Sequence, residues 1–154
     1  MESERESQMK AGMVLNLSRF TEWPNQLKGQ NSFTIVLYEA KNLKRMEAGF
    51  EKLKVQGLPV DLVNYYEGMD LQKVQILFIG EQTGDEIKMT LLEEFSKYEV
   101  LTISEAENFA ENGGMVRLYK LDKKMTFDVN VGAIRASKLK MSSRVLKLAK
   151  GIIR

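Results

Sequence analysis

The sequence predicts an α/β fold. It reads as a three-layer sandwich with a mainly parallel central sheet, helices on both faces, and a C-terminal antiparallel hairpin followed by a final helix. Three observations carry this. Strand-like runs alternate with helical periodicity through the first two thirds of the chain, the order that builds parallel sheets through right-handed crossovers. Phe33–Tyr38 is a nearly continuous apolar run, the pattern of a strand covered on both faces. After Ser104 the pattern changes to two short strands around a tight turn, which adds antiparallel strands at one edge.

Met9, Met13, Leu17 and Phe20 recur at helical spacing and predict an amphipathic helix over residues 4–20, with Lys10, Asn16 and Arg19 facing elsewhere. The helix must end before Pro24, because proline disfavours helix in the residue ahead of it. Trp23, the single tryptophan, reads either as a plug seating that helix on the sheet or as a platform for a ligand or partner at the sheet edge. Lys28–Ser32 is a polar loop before the strand Phe33–Tyr38. Leu43, Met46, Phe50 and Leu53 mark a second helix, which Gly57 and Pro59 terminate. Val60–Tyr66 alternates as a second strand, Gly68–Gln72 turns, and Val74–Ile79 is the most hydrophobic strand and the central one. Asp85 and Glu86 open the next helix, where acids suit the dipole, and Ile87, Leu91 and Phe95 are its buried stripe.

Val100–Ile103 forms a strand ending at Ser104. Ser104 and Glu107 have capping-box spacing and predict a short helix that stops at Asn112-Gly113-Gly114. Met115–Leu121 then runs out, Asp122-Lys123-Lys124 turns, and Met125–Asn130 returns. Met125, Phe127 and Val129 share one face of the returning strand, and Thr126, Asp128 and Asn130 the other. Helix resumes near Ala133, and a basic amphipathic helix capped by Ser142 or Ser143 follows.

Composition narrows the function classes. A chain of 154 residues suits one domain, able to bury about 70% of its unfolded surface. Residues 8–154 read as that domain and the polar residues 1–7 as a flexible leftover. The net charge of +2 argues against a dedicated nucleic-acid binder. The basic run Lys138, Lys140, Arg144, Lys147, Lys150, Arg154 reads as a solvated helix face. With no cysteine and no histidine, the chain has no disulfide, thiolate nucleophile or Ser-His triad, and lacks the usual zinc ligands. No apolar run approaches the ~20 residues of a membrane span. Ile79–Gly84 bears glycines ahead of a helix but lacks both the P-loop lysine and the dinucleotide spacing. No catalytic group, metal or cofactor is therefore expected.

Two groups of residues remain as candidates for binding a partner or ligand. Asp128 and Asn130 share a strand face, and Arg135 follows one helical turn after the corner. Its guanidinium could bind Asp128 or span to Ser104 as a bidentate partner. That set reads as a polar bracket fixing the last helix, or as a corner that contacts a partner or an anion. The other group is Arg19 and Glu22, which flank Trp23. Glu22 has no second catalytic group nearby in sequence and reads as surface or capping.

The order of these features resembles the YfiR-like family of bacterial regulators. The matching stretches are Phe20-Thr21-Glu22-Trp23-Pro24, Leu77-Phe78-Ile79-Gly80, Ser104 with Phe109, Gly113-Gly114-Met115, Phe127-Asp128-Val129-Asn130 and Ser143-Arg144-Val145-Leu146-Lys147-Leu148-Ala149. No one motif is specific, but their order and spacing are, from about Gln8 onward. The resemblance implies a non-catalytic periplasmic protein, exported by a leader removed from the sequence. Such a protein binds and represses the periplasmic sensor domain of an inner-membrane diguanylate cyclase, lowering cyclic di-GMP and biofilm formation. It further implies an outer-membrane-tethered protein that sequesters the regulator, and a homodimer. Other relatives are sensory domains joined to histidine kinases, so the alternative is a small-ligand-binding sensory domain or periplasmic binding protein for such a system, with its pocket beside Trp23 and the strand ends. A flavodoxin-like cofactor protein is a third reading. The chain departs from the best-known relatives in lacking cysteines, so redox gating is not expected. Lys140 and Ser142 stand where some relatives carry a basic and imidazole corner.

Overall fold

The computed structural model describes residues 4–40 and 43–154, with only the backbone at 43 and 44. Helix α1 (Glu4–Arg19) precedes β1 (Thr21–Glu22) and β2 (Phe33–Tyr38). Then come α2 (Leu43–Phe50), β3 (Lys54–Val55), β4 (Leu58–Asn64), a 3-10 turn (Leu71–Lys73) and β5 (Ile76–Ile79). Helix α3 (Asp85–Phe95) leads to β6 (Leu101–Ser104), β7 (Val116–Leu121), β8 (Lys124–Asn130) and α4 (Val131–Ala136). The last elements are β9 (Lys140–Met141), α5 (Ser143–Leu148) and β10 (Gly151–Ile153). One eight-stranded sheet runs in the order β10-β8-β7-β6-β5-β2-β4-β3, and β1 pairs with β9 in a separate ribbon. The pairs from β4 through β2, β5 and β6 to β7 are parallel, as is β8 with β10. The hairpins β3–β4 and β7–β8 are antiparallel. This is the expected α/β architecture, with its central strand at β5.

Strand β5 shows why the middle of the sheet is apolar on both faces. Ile76 and Phe78 join a core with Ala11, Val14 and Leu17 of α1 and Met46 and Phe50 of α2. Leu77 and Ile79 point the other way, into a second core with Leu91 and Phe95 of α3. Each such side chain contributes about 1.5–3 kcal/mol when fully buried. Strands β7 and β8 behave differently. Val116, Leu118, Phe127 and Val129 enter the first core, but the second core contains no residue of β7, β8 or β10.

Several expected elements shift. The inward stripe of α1 is Ser7, Lys10, Ala11, Val14, Leu15, Leu17 and Ser18, while Met9 and Met13 are half-buried and Phe20 is exposed. The cause is α2: a Cβ on Gly49 would lie 2.6 Å from the Ala11 Cβ, so the two helices meet at small residues where methionine could not fit. Glu4–Ser7 form the first turns of α1 and Ser7 is buried, whereas residues 1–3 of the expected leftover lie outside the described residues. Leu43, one residue of the expected α2 stripe, has a side chain outside them too. Leu53 and Ile87 are exposed rather than buried.

Residues 105–113 form successive turns, not a capped helix. The Ser104 Oγ accepts from the Ala106 N–H at 3.2 Å, so the reciprocal bond with Glu107 never forms. Asn108 then enters the left-handed region (φ 61°), which interrupts any helical run. The hairpin turn is tighter than expected: Asp122 and Lys123 both have positive φ, a two-residue type I′ turn, and Lys124 already belongs to β8. Ser142 caps α5 by accepting from the Arg144 N–H. Beyond that helix the chain returns to the sheet. The Lys150 N–H donates to the Phe127 carbonyl at 2.8 Å, and β10 runs parallel to β8, a strand the sequence reading did not include.

Candidate functional site

The register of the sheet builds a polar row on the face that α3 leaves open. Ser104 lies opposite Arg117, Arg117 opposite Asp128, and Asp128 opposite Gly151. Tyr119, two residues along β7, donates its hydroxyl to the Asp128 Oδ1 at 2.7 Å. Burial, that hydrogen bond and the charge of Asp128 push the Tyr119 phenol up to about 12. The Arg117 guanidinium carbon stands 4.4 Å from the Tyr119 ring centroid, a cation–π contact. The Arg117 Nε is buried without a hydrogen-bond partner. Arg117 and Tyr119 complete the polar row, yet neither stood out in the sequence. The available signal was the alternation of Val116, Arg117, Leu118 and Tyr119 along one strand.

Asp128 therefore meets Tyr119, and not Arg135. Arg135 is exposed on α4 and forms no ion pair among the described residues. Asn130 holds a junction instead. Its Oδ1 caps α4 by accepting from the Ala133 N–H at 2.9 Å, and its Nδ2 donates to the Ala110 carbonyl at 2.8 Å. The Asn130 N–H reaches the Met115 carbonyl, and the Met115 N–H reaches the Thr102 Oγ1. Gly114 has to be glycine here, because a Cβ would lie 2.2 Å from the Phe109 ring. The stretches Ser104 to Phe109, Gly113-Gly114-Met115 and Phe127 to Asn130 thus lock one another. Nearby, Lys10 crosses from α1 to Glu105 in a largely buried ion pair of 2.7 Å. Lys10 was expected to face away; the rotated stripe of α1 brings it inward.

The other group lies elsewhere. Arg19 and Glu22 are exposed, and Glu22 pairs across the ribbon with Lys140. Trp23 is 4% exposed, packs edge-on against Phe33 and donates its indole N–H to the Gln75 carbonyl at 3.0 Å. Its ring serves as a plug. The structure does not join Arg19, Glu22 and Trp23 to Ser104, Asp128 and Asn130 by any hydrogen bond or ion pair among the described residues. Behind Trp23 runs a network that sequence inspection missed. Gln75 and Gln26 bridge the amino ends of β2 and β5, and Glu99 accepts from the Asn25 and Gln26 N–H groups and from the Asn25 amide. Burial raises the Glu99 pKa, but those hydrogen bonds and the charge of Lys138 outweigh it and hold it below the ordinary carboxylate value.

Among the described residues no group of three or more acidic side chains could hold a metal ion, and no helix is long and apolar enough to cross a membrane. A scan against protein-family models matches residues 7–150 to the family described as YfiR/HmsC-like. A search of curated proteins finds no match.

Proposed function

The chain belongs to the YfiR/HmsC-like family, and on that premise we propose that it binds and represses the periplasmic sensor domain of an inner-membrane diguanylate cyclase. The match over residues 7–150 is the observation that carries this reading. The family is one of regulatory, non-catalytic domains and suggests control of cyclic di-GMP signalling from the periplasm. Such a regulator needs only differential affinity for two states of its target. The open face of β7 and β8 supplies suitable chemistry: a half-buried guanidinium with a spare donor, and a phenol hydrogen-bonded to a carboxylate. In this reading the protein acts as a homodimer, and a protein tethered to the outer membrane sequesters it. Repression does not respond to reductant, since the chain has no cysteine.

The test is to express the tagged protein with its native leader in its own bacterium, crosslink, and identify what copurifies from the envelope. Recovery of a membrane protein with a cyclase output domain, lost in Arg117→Ala, is the expected result. Recovery of no envelope protein, with the tag in the cytoplasm, would overturn both export and repression. Recovery of a histidine kinase would favour the sensory alternative.

A further inference from the structure

At the amino ends of β2, β5 and β6 the surface folds inward into a polar cleft of about 520 Å³. That is within the range of small-molecule sites, about 300–1,000 Å³. Four lysines line it, Lys28, Lys73, Lys97 and Lys138, against two carboxylates, Asp70 and Glu99. Both carboxylates are already engaged. Asp70 caps the 3-10 turn by accepting from the Gln72 N–H at 3.1 Å. Glu99 spends both oxygens on Asn25 and Gln26, at 2.8–2.9 Å. None of the four lysines has a carboxylate within 4.0 Å among the described residues. The lining thus sets four cationic side chains against two carboxylates, and although Lys138 acts on Glu99 through its charge, positive charge remains in surplus.

Lys97 and Lys138 follow helix C-termini, where a cation is favoured anyway. That accounts for two of the four. Lys138, however, is held at φ 70°, in the left-handed position past the end of α4 where glycine is the usual residue.

We propose that this cleft binds a small hydrophilic anion of two or more charges, a phosphorylated sugar or a polycarboxylate. The lysines take the charged groups, and the amides and hydroxyls of the wall take the rest. The inference does not rest on the cyclase reading. It concerns the purified protein alone, so its failure leaves that reading standing.

Calorimetric titration at low ionic strength tests it, with glucose 6-phosphate and citrate as probes and glucose as the neutral control. At least one anion should bind and glucose should not, and which anion binds separates phosphate from carboxylate. The Lys73→Ala/Lys97→Ala double variant should bind roughly tenfold more weakly, as loss of charge-assisted contacts implies. Lys138→Gly should bind several-fold more weakly while melting at a higher temperature, because glycine accepts the left-handed conformation freely. Absence of binding by both anions would overturn the proposal. So would equal affinity in wild type and variants, or a loss of affinity that merely follows a lower melting temperature in both.

Discussion

Strands β5 and β8 belong to one sheet and share one core, yet they are held in different ways. Around β5, both faces are sealed by helices, and the residues that matter are apolar side chains and one close backbone approach. Around β8, only the α1 side is apolar. The other side carries Arg117, Tyr119 and Asp128, tied by directional contacts. A sealed region gains stability from burial and tolerates no added volume. An open one is fixed by a few polar bonds and keeps side chains that can move. The proposed repression by contact would use both: the sealed half as frame, and the open face with its polar groups positioned but not used up.

The same substitution on each side tests this contrast. A Cβ on Gly80, at the end of β5, would lie 2.2 Å from the Glu39 carbonyl oxygen, and that backbone cannot retreat. Gly80→Ala should destabilise by about 3 kcal/mol. A Cβ on Gly151 would lie 2.7 Å from the Asp128 Oδ1, a side-chain atom held by the Tyr119 hydroxyl and able to shift more readily than backbone. Gly151→Ala should therefore lose no more than about 1 kcal/mol. Urea unfolding midpoints measure both, and equal losses would erase the distinction. Next in size is Asn130→Ala, which removes the α4 cap and leaves the Ala110 carbonyl unpaired, a loss of about 2 kcal/mol. Asn130→Asp keeps the capping oxygen and should recover part of that loss. If it does not, the bond to Ala110 carries the whole effect.

These cases also show what a sequence can disclose. The alternation that put Phe127 and Val129 inside and Asp128 outside was readable, because strand geometry turns spacing directly into faces. The parallel frame was readable for the same reason. The stripe of α1 was not. Its apolar residues suggested Met9 and Phe20, while the true inward face includes Ser7, Lys10 and Ser18, chosen by how closely α2 approaches. Strand β10 was hidden because three residues, Gly151–Ile153, carry too little periodicity to register. Of the candidate residues, Asp128 and Asn130 sit where the chain order placed them, but their partners are Tyr119, Ala110 and Ala133. Contacts set by register and by a turn had no signature in spacing. The lysines of the cleft come from four separated segments and converge only in three dimensions.

The network under the sealed half should show in acid. The Glu99 pKa lies below its unfolded value of about 4.3, so its contribution is fully present above that pH and is lost as pH falls through the folded value. Glu99→Gln should be less stable at neutral pH and lose less stability below about pH 4.3 than the wild type. Unfolding curves at stepped pH compare the two, and parallel decline would mean that Glu99 is not what acid attacks.

The smallest effect separates the two regions most directly, through two tyrosines. Tyr65 follows β4 in the sealed half, among the Tyr38 and Phe95 rings, with its hydroxyl on the Glu94 carboxylate at 3.0 Å. Tyr119 stands in the open half, on Asp128. Burial, the hydrogen bond and the neighbouring carboxylate push Tyr65 up to about 12, as they do Tyr119. A phenol whose folded pKa exceeds its unfolded value of about 10 contributes stability below that pH and loses it between there and the folded value. Phenolate absorbance against pH should show two tyrosines ionising late, and Tyr119→Phe should remove one of them. The same variant should lose about 1 kcal/mol at neutral pH, the net worth of one hydrogen bond to a charged group that can turn toward water. Asp128 keeps that freedom only because its face is open. If Tyr119 instead ionised near the unfolded value of about 10, Asp128 would not be holding it, and the polar row would be a set of independent surface groups rather than a connected one.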